Sequence, residues 1–239
     1  MTMIQLFTLN SILNRWSNER ALPLEIPIID DTIGGLLPSL VHSINGETGA
    51  GKTIFCLRVI NSLFRQNNES KVLYSEFNGN LRLSTIKKII SKEDLLNQID
   101  FFKPKSLIEQ IIFFRNLTKE PDSLYNLIII DTLFGSPLDA SRYLGKEPRI
   151  WKKRIFNHLL DLKNIAENWE VPILLTNYPV ISPNEQDFNL SYSQYGEDLL
   201  TPIIPINMII HKRRMKHILE FRLFQNLVAS SEFTLILDK

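Results

Sequence analysis

The sequence predicts an α/β fold: a mostly parallel central sheet flanked by helices, with an antiparallel extension at its C-terminal end. Three observations carry this. Apolar runs of strand length recur without polar alternation, as in strands buried on both faces, and Tyr125 to Ile130 is the clearest. Between such runs lie segments whose apolar residues return at helical spacing. After the last long helix the pattern changes to a succession of strand-like segments.

Taken in order, Leu6, Leu9, Leu13 and Trp16 predict an amphipathic helix over residues 3–18, packed on the domain or docked to a partner. Ala21-Leu22-Pro23 ends it, so residues 1–25 are expected as helix and linker, and 26–239 as one core. Ile29 to Gly35 reads as a short helix stopped by glycine. Leu40 to Ile44 is a buried strand, and Ile54 to Phe64 a helix with Leu57, Ile60, Leu63 and Phe64 on its apolar side. Lys71 to Phe77 is β-rich and runs into the turn signal Asn78-Gly79-Asn80. Leu81 to Ile90 resumes helical spacing, Ile99 to Lys103 is a short strand, and Ser106 to Leu117 an amphipathic helix. Asp131 closes the Tyr125–Ile130 strand. Trp151 to Trp169 is a long helix with Ile155, Leu159, Leu162 and Ile165 on one stripe, and Val171 to Thr176 another buried strand. Residues 178–196 are polar and turn-rich, without periodicity. Ile203 to Ile210, Ile218 to Phe224 and Phe233 to Leu237 are the closing strands.

Composition narrows the function classes. The 239 residues fit a single α/β domain, and 44% hydrophobic with 22% charged residues suits a chain that buries a core. With 27 Lys+Arg against 26 Asp+Glu, any nucleic-acid surface must be local. The single cysteine, Cys56, falls in an apolar helix and reads as a small buried hydrophobe. One cysteine allows no internal disulfide, compatible with a reducing cytoplasm, the expected location. There is no run of about eighteen apolar residues and no basic start leading into an apolar stretch, so neither a membrane span nor a secretory signal is expected.

The chemistry concentrates at Gly46, Glu47, Thr48, Gly49, Ala50, Gly51, Lys52 and Thr53, a complete G-x-x-x-x-G-K-[ST] pattern between strand and helix. Glycines let the backbone N–H groups turn inward around a phosphate, and the helix adds its positive N-terminal end. Lys52 supplies charge for the β- and γ-phosphates, and Thr53 a hydroxyl for Mg2+. ATP and Mg2+ are therefore the expected cofactors. Such a site needs a second carboxylate at the end of a buried strand. Asp131 fits that description, with a simple strand cap as the alternative. For hydrolysis, Glu76 is the candidate to orient water, with a solvated strand-end carboxylate as the alternative. The four histidines do not cluster with Cys or acids at metal-ligand spacing, so no metal beyond Mg2+ is expected.

Together these segments resemble the RecA superfamily, particularly archaeal RadA recombinases and their shorter RadB-type paralogues. Ile29-Asp30-Asp31-Thr32-Ile33-Gly34-Gly35-Leu36 is similar to the family's lead-in segment, and Lys71 to Arg82 to its strand ending in Y-I-D-T-E-G-T-F-R. Leu127 to Thr132 resembles the Walker B strand, Leu174-Leu175-Thr176-Asn177 the start of T-N-Q-V, and Tyr195 to Leu200 the stretch before the last strands. The resemblance spans about residues 26–237. It implies a RecA-like ATP-binding core over 26–239, without the helix-hairpin-helix domain of RadA. The departures are informative. In an ungapped match the family's catalytic glutamate falls on Asn78 and its aspartate on Glu76; a two-residue shift gives Glu76 that role. The adenine-stacking Arg falls on Thr85 and the Gln of T-N-Q-V on Tyr178, and there is no clear F-x-x-A motif. These differences imply an accessory factor in DNA repair or homologous recombination with weak DNA-dependent ATPase activity.

The family binds single-stranded DNA through two loops, matched here by 133–150 and 178–196. The first runs into Arg142, Lys146, Arg149, Lys152, Lys153 and Arg154, interleaved with Tyr143 and Trp151. Basic groups beside aromatic faces suit a single strand, and a solvated helix face is the alternative. The second has no Lys or Arg. His211 to His217 is the densest basic run, a solvated hairpin tip or a DNA or partner contact. The resemblance further implies a RadA-type recombinase or other paralogue as partner and a homo- or hetero-oligomer. Two other readings remain: a non-hydrolysing, nucleotide-gated scaffold for a recombinase, and a KaiC-like signalling ATPase.

Overall fold

The apolar runs become the centre of an eight-stranded sheet, because a strand covered on both faces must be apolar along its whole length. The computed structural model describes residues 21–27, 30–31, 34–77, 79, 81–90, 92–136, 139, 143, 148–183, 190–194, 200, 203–204, 206–212, 218–225 and 228–236. The helix predicted over 3–18 lies outside them, as do Asn78 and the stretch 195–199.

In chain order the elements are β1 (Val41–Gly46), α1 (Lys52–Gln66), β2 (Val72–Glu76), α2 (Leu83–Ile89), a 3-10 helix at Glu93–Gln98, β3 (Ile99–Phe102), α3 (Leu107–Leu117), β4 (Leu127–Asp131), α4 (Pro148–Trp169), β5 (Ile173–Asn177), β6 (Pro179–Pro183), β7 (Leu190–Gln194), β8 (Ile206–Lys212), β9 (Ile218–Gln225) and β10 (Val228–Ile236). The sheet order is β10-β9-β8-β1-β5-β4-β2-β3. From β8 to β3 every pairing is parallel. β9 and β10 then add antiparallel pairings at the β8 edge. The expected mostly parallel sheet with an antiparallel C-terminal extension is present, with the extension beginning one strand later than the three closing strands suggested.

Successive strand residues point to opposite faces, so each central strand feeds two cores. Ile44, Tyr74, Ile129 and Leu174 pack with Phe55, Cys56 and Ile60 of α1. Leu73, Ile128, Ile130 and Leu175 pack with Phe114 of α3 and with Ile155, Leu159 and Leu162 of α4. The stripe read from 151–169 is therefore the buried face of α4.

Two local readings need correction. Residues 178–196 hold an antiparallel ribbon, β6 with β7, paired from Pro179↔Gln194 to Pro183↔Leu190. Its sequence hides the strand period because prolines bracket β6 and β7 alternates mostly polar types. The 3-10 helix at Glu93–Gln98 was not expected, because so short a segment shows no full apolar period. Elsewhere the boundaries move by no more than three residues, except that β10 begins at Val228, five residues before the expected Phe233.

What matters for function is where the strands end. β2 and β4 finish in register at Glu76↔Asp131, and β1 and β5 at Asn45↔Asn177. Gly46, Glu76, Asp131 and Asn177 thus share the carboxyl edge of the parallel sheet, the usual place for a ligand in open α/β folds.

Candidate functional site

The glycine loop is shaped by close contacts and by backbone only glycine adopts easily. A Cβ on Gly46 would lie 2.7 Å from the carbonyl oxygen of Ile210 on β8, too near for any side chain. Gly51 caps α1 with φ 103°, in the left-handed region that glycine enters without strain. That turn delivers Lys52 as the first residue of α1. Its Nζ donates to the carbonyls of Gly46 (2.6 Å) and Glu47 (3.1 Å) and lies 4.3 Å from the ring centroid of Tyr178. Burial pushes the ammonium down from 10.5 to about 8; the negative charge of Asp131 is the largest influence opposing that shift.

Asp131 is held by hydroxyls from three elements. Thr53 Oγ1 donates to Oδ2 at 2.7 Å, Tyr74 OH to the same oxygen at 2.8 Å, and Thr176 Oγ1 to Oδ1 at 2.7 Å. The strand register explains why: Glu76 opposes Asp131, so Tyr74, two residues earlier, points to the same face of the sheet. Burial raises the Tyr74 phenol well above 10, and the Asp131 charge raises it further, so it remains a donor across the neutral range.

A cavity of about 350 Å³ opens over this arrangement, and Thr48, Lys52, Thr53, Glu76, Asp131 and Tyr178 are in its wall. Glu76 Oε2 lies 3.7 Å from Lys103 Nζ, just past the end of β3. The cavity offers hard oxygen donors in Thr53 and Asp131 and a buried cation in Lys52. That donor set suits Mg2+ with a phosphate chain. Ala50 is buried, and Gly49 and Gly51 line the same space.

The structure thus gathers Lys52, Thr53, Glu76 and Asp131 around one space. Among the described residues, none of the basic run 142–154 is in that wall. Arg149, Lys152, Lys153 and Arg154 sit in the first turns of α4, with Arg149, Lys153 and Arg154 exposed. The Arg154 guanidinium lies 5.1 Å from the Trp151 ring, and Trp151 packs on Tyr143 at 4.5 Å. Arg142 and Lys146 lie outside the described residues, as do residues 213–217 of the basic run between β8 and β9. Thr85 is on α2. Sequence reasoning gave no role to Tyr74 or Thr176. The available signal was that a tyrosine and a threonine follow aliphatic residues within buried strands.

No family model matches the chain. Sequence relatives include the DNA repair and recombination protein RadB of Methanoculleus marisnigri, 26% identical over 157 residues, which covers 62% of this chain and 66% of the relative. RadB of Thermoplasma volcanium is 31% identical over 160 residues, 65% of this chain and 64% of the relative. The meiotic recombination protein DMC1 of Saccharomyces cerevisiae is 27% identical over 155 residues, 60% of this chain and 46% of the relative. In each case the chain spans less than two thirds of the relative's own length. Among solved structures, a crystal structure of the RadB recombinase superposes with a TM-score of 0.69 at 16% identity, covering 89% of this chain and 93% of that one. The architecture is accordingly a RecA-like α/β core.

Proposed function

We propose a nucleotide-dependent role in DNA recombination for this chain, which is a RadB-like protein of the RecA superfamily. It binds ATP with Mg2+ and acts as an accessory factor in DNA repair or homologous recombination, with a weak DNA-dependent ATPase. The observation that carries this is the 2.7 Å contact between Thr53 and Asp131 in the cavity that Lys52 and the glycine loop enclose.

In this reading the 46–51 backbone N–H groups cradle the phosphates, and Lys52 neutralises their charge. Thr53 and Asp131 hold Mg2+, which supplies further charge neutralisation on the phosphate oxygens. Glu76, in the cavity wall, orients the attacking water. Residues 26–239 act as the ATP-binding core, and 1–25 as an N-terminal helix and linker. Single-stranded DNA is bound by Arg149, Lys152, Lys153 and Arg154, and also by Arg142 and Lys146, which lie outside the described residues. The exposed basic groups and the Tyr143–Trp151–Arg154 stack support that placement. A RadA-type recombinase or another paralogue is the protein partner, in a homo- or hetero-oligomer.

One observation favours the scaffold reading, in which nucleotide is bound but not hydrolysed. Glu76 faces the Lys103 ammonium at 3.7 Å, so its charge is shared with a cation of its own chain. Turnover with and without single-stranded DNA separates the two: stimulation by DNA supports the ATPase, and none at saturating nucleotide supports the scaffold. Fluorescent ATP-analogue binding that disappears in Lys52→Ala tests the site. Salt-dependent binding to single-stranded DNA and co-purification with a RadA-type recombinase test the partners.

A further inference from the structure

Three acceptors surround the Lys52 ammonium: the Gly46 carbonyl at 2.6 Å, the Glu47 carbonyl at 3.1 Å, and the Tyr178 ring with its centroid at 4.3 Å. An ammonium has three hydrogens, so this set can satisfy it without any phosphate. The ring reaches Lys52 because Tyr178 follows Asn177 at the end of β5, which pairs in parallel with β1 up to Asn45. Tyr178 is buried and lines the same cavity as Thr48, Thr53 and Asp131. A buried cation over an aromatic face is held more firmly than an exposed one, because less water competes for it.

We propose that Tyr178 is a positioning residue that holds Lys52 away from the terminal phosphate and so sets the balance between triphosphate and diphosphate nucleotides. This rests on the reading of the cavity as an ATP site. A terminal phosphate that takes up the Lys52 ammonium must displace one of its three contacts. Two of those are backbone carbonyls of the glycine loop itself, whose position the loop's own turns fix. The ring is a side chain and is the contact most easily exchanged. A triphosphate therefore competes with Tyr178 for Lys52, whereas a diphosphate makes less demand on the ammonium. The contact uses the face of the ring, so the phenolic oxygen is dispensable for it.

The test compares affinities for Mg2+ complexes of a slowly hydrolysed ATP analogue and of ADP, by calorimetry, in wild type, Tyr178→Phe, Tyr178→Leu and Tyr178→Met. Thermal melts establish that each variant is folded. Leu and Met, which offer the ammonium no comparable acceptor, should tighten the triphosphate by ~three- to tenfold and change ADP by less, and Phe should stay within about twofold of wild type. Should Tyr178→Leu fail to fold, Tyr178→Met reads the same ratio. An unchanged or lowered triphosphate-to-diphosphate ratio in Leu and Met, or a Phe variant that behaves like Leu, overturns the inference. Wild-type binding that needs Lys52 but whose ratio ignores Tyr178 removes this inference alone. A wild type that binds neither nucleotide removes the site reading and this inference together.

Discussion

The ends of β2 and β4 carry two carboxylates opposite one another in the sheet, and their surroundings differ sharply. Asp131 accepts from Thr53, Tyr74 and Thr176, hydroxyls fixed by α1, β2 and β5. Glu76, its register partner, has the Lys103 ammonium at 3.7 Å, on a side chain that is 68% exposed. Short donors on packed elements orient a carboxylate at little entropic cost. A long exposed lysine gives an ion pair that contributes little, because ordering it costs rotamer freedom and water screens the charge. One strand end thus presents a carboxylate fixed by three packed donors, and the other a buried carboxylate beside an exposed cation. In the proposed function, that difference suits firm nucleotide binding coupled to slow turnover.

Four experiments break or sharpen the contrast. The largest effect is expected at Glu76. Glu76→Gln should lower any turnover by about a hundredfold, the usual size of a lost proton acceptor, and leave ATP affinity nearly unchanged. Equal turnover in the variant would remove Glu76 from the chemistry and favour the scaffold.

Next is Lys52, read by pH. Because burial places its ammonium at about 8, it is mostly charged at pH 7 and mostly neutral at pH 9. Triphosphate affinity should therefore fall by about tenfold between those values as the proton needed for binding is lost. Asp131 is the largest influence holding that value up, so Asp131→Asn should move the fall to lower pH and weaken Mg2+-dependent binding, whereas Glu76→Gln should leave the midpoint in place. A midpoint that follows Glu76 instead would reverse the roles of the two strand ends.

Smaller still is Tyr74→Phe, which deletes one buried donor to Asp131. A urea titration should show a loss of about 1–2 kcal/mol, the scale of an uncompensated buried hydrogen bond. Half-saturation by Mg2+ should rise at the same time, since Oδ2 loses one of its two orienting donors. Stability loss without any change in Mg2+ dependence would make Tyr74 a packing residue only. The smallest effect is expected for Lys103→Ala, which should cost under about 1 kcal/mol in the same titration. A larger loss would show that the Glu76 end is as rigid as the Asp131 end.

What could be seen in the sequence follows from how local each signal is. Residues 46–53 were legible because the loop, its glycines, Lys52 and Thr53 are contiguous. Asp131 was legible because an aliphatic run ending in a carboxylate is a local pattern. Tyr74 and Thr176 were not, because their partner is chosen by the register of β2, β4 and β5, which no single segment encodes. The Tyr178 ring over Lys52 likewise depends on β5 lying beside β1. The β6–β7 ribbon escaped notice because prolines and alternating polar types mask a strand period. His158 shows the same limit on the other face of the sheet. It sits one position before Leu159 of the apolar stripe, yet it is fully buried beside Phe114, and burial pushes it down to about 3.

The most direct measurement is calorimetric titration of ATP into the chain with Mg2+ and again in EDTA, in wild type and in Lys52→Ala. The expected result is saturable binding to wild type that weakens in EDTA and disappears in the variant. No binding with Mg2+ present, or binding that Lys52→Ala leaves intact, would contradict a triphosphate site between Lys52 and Asp131.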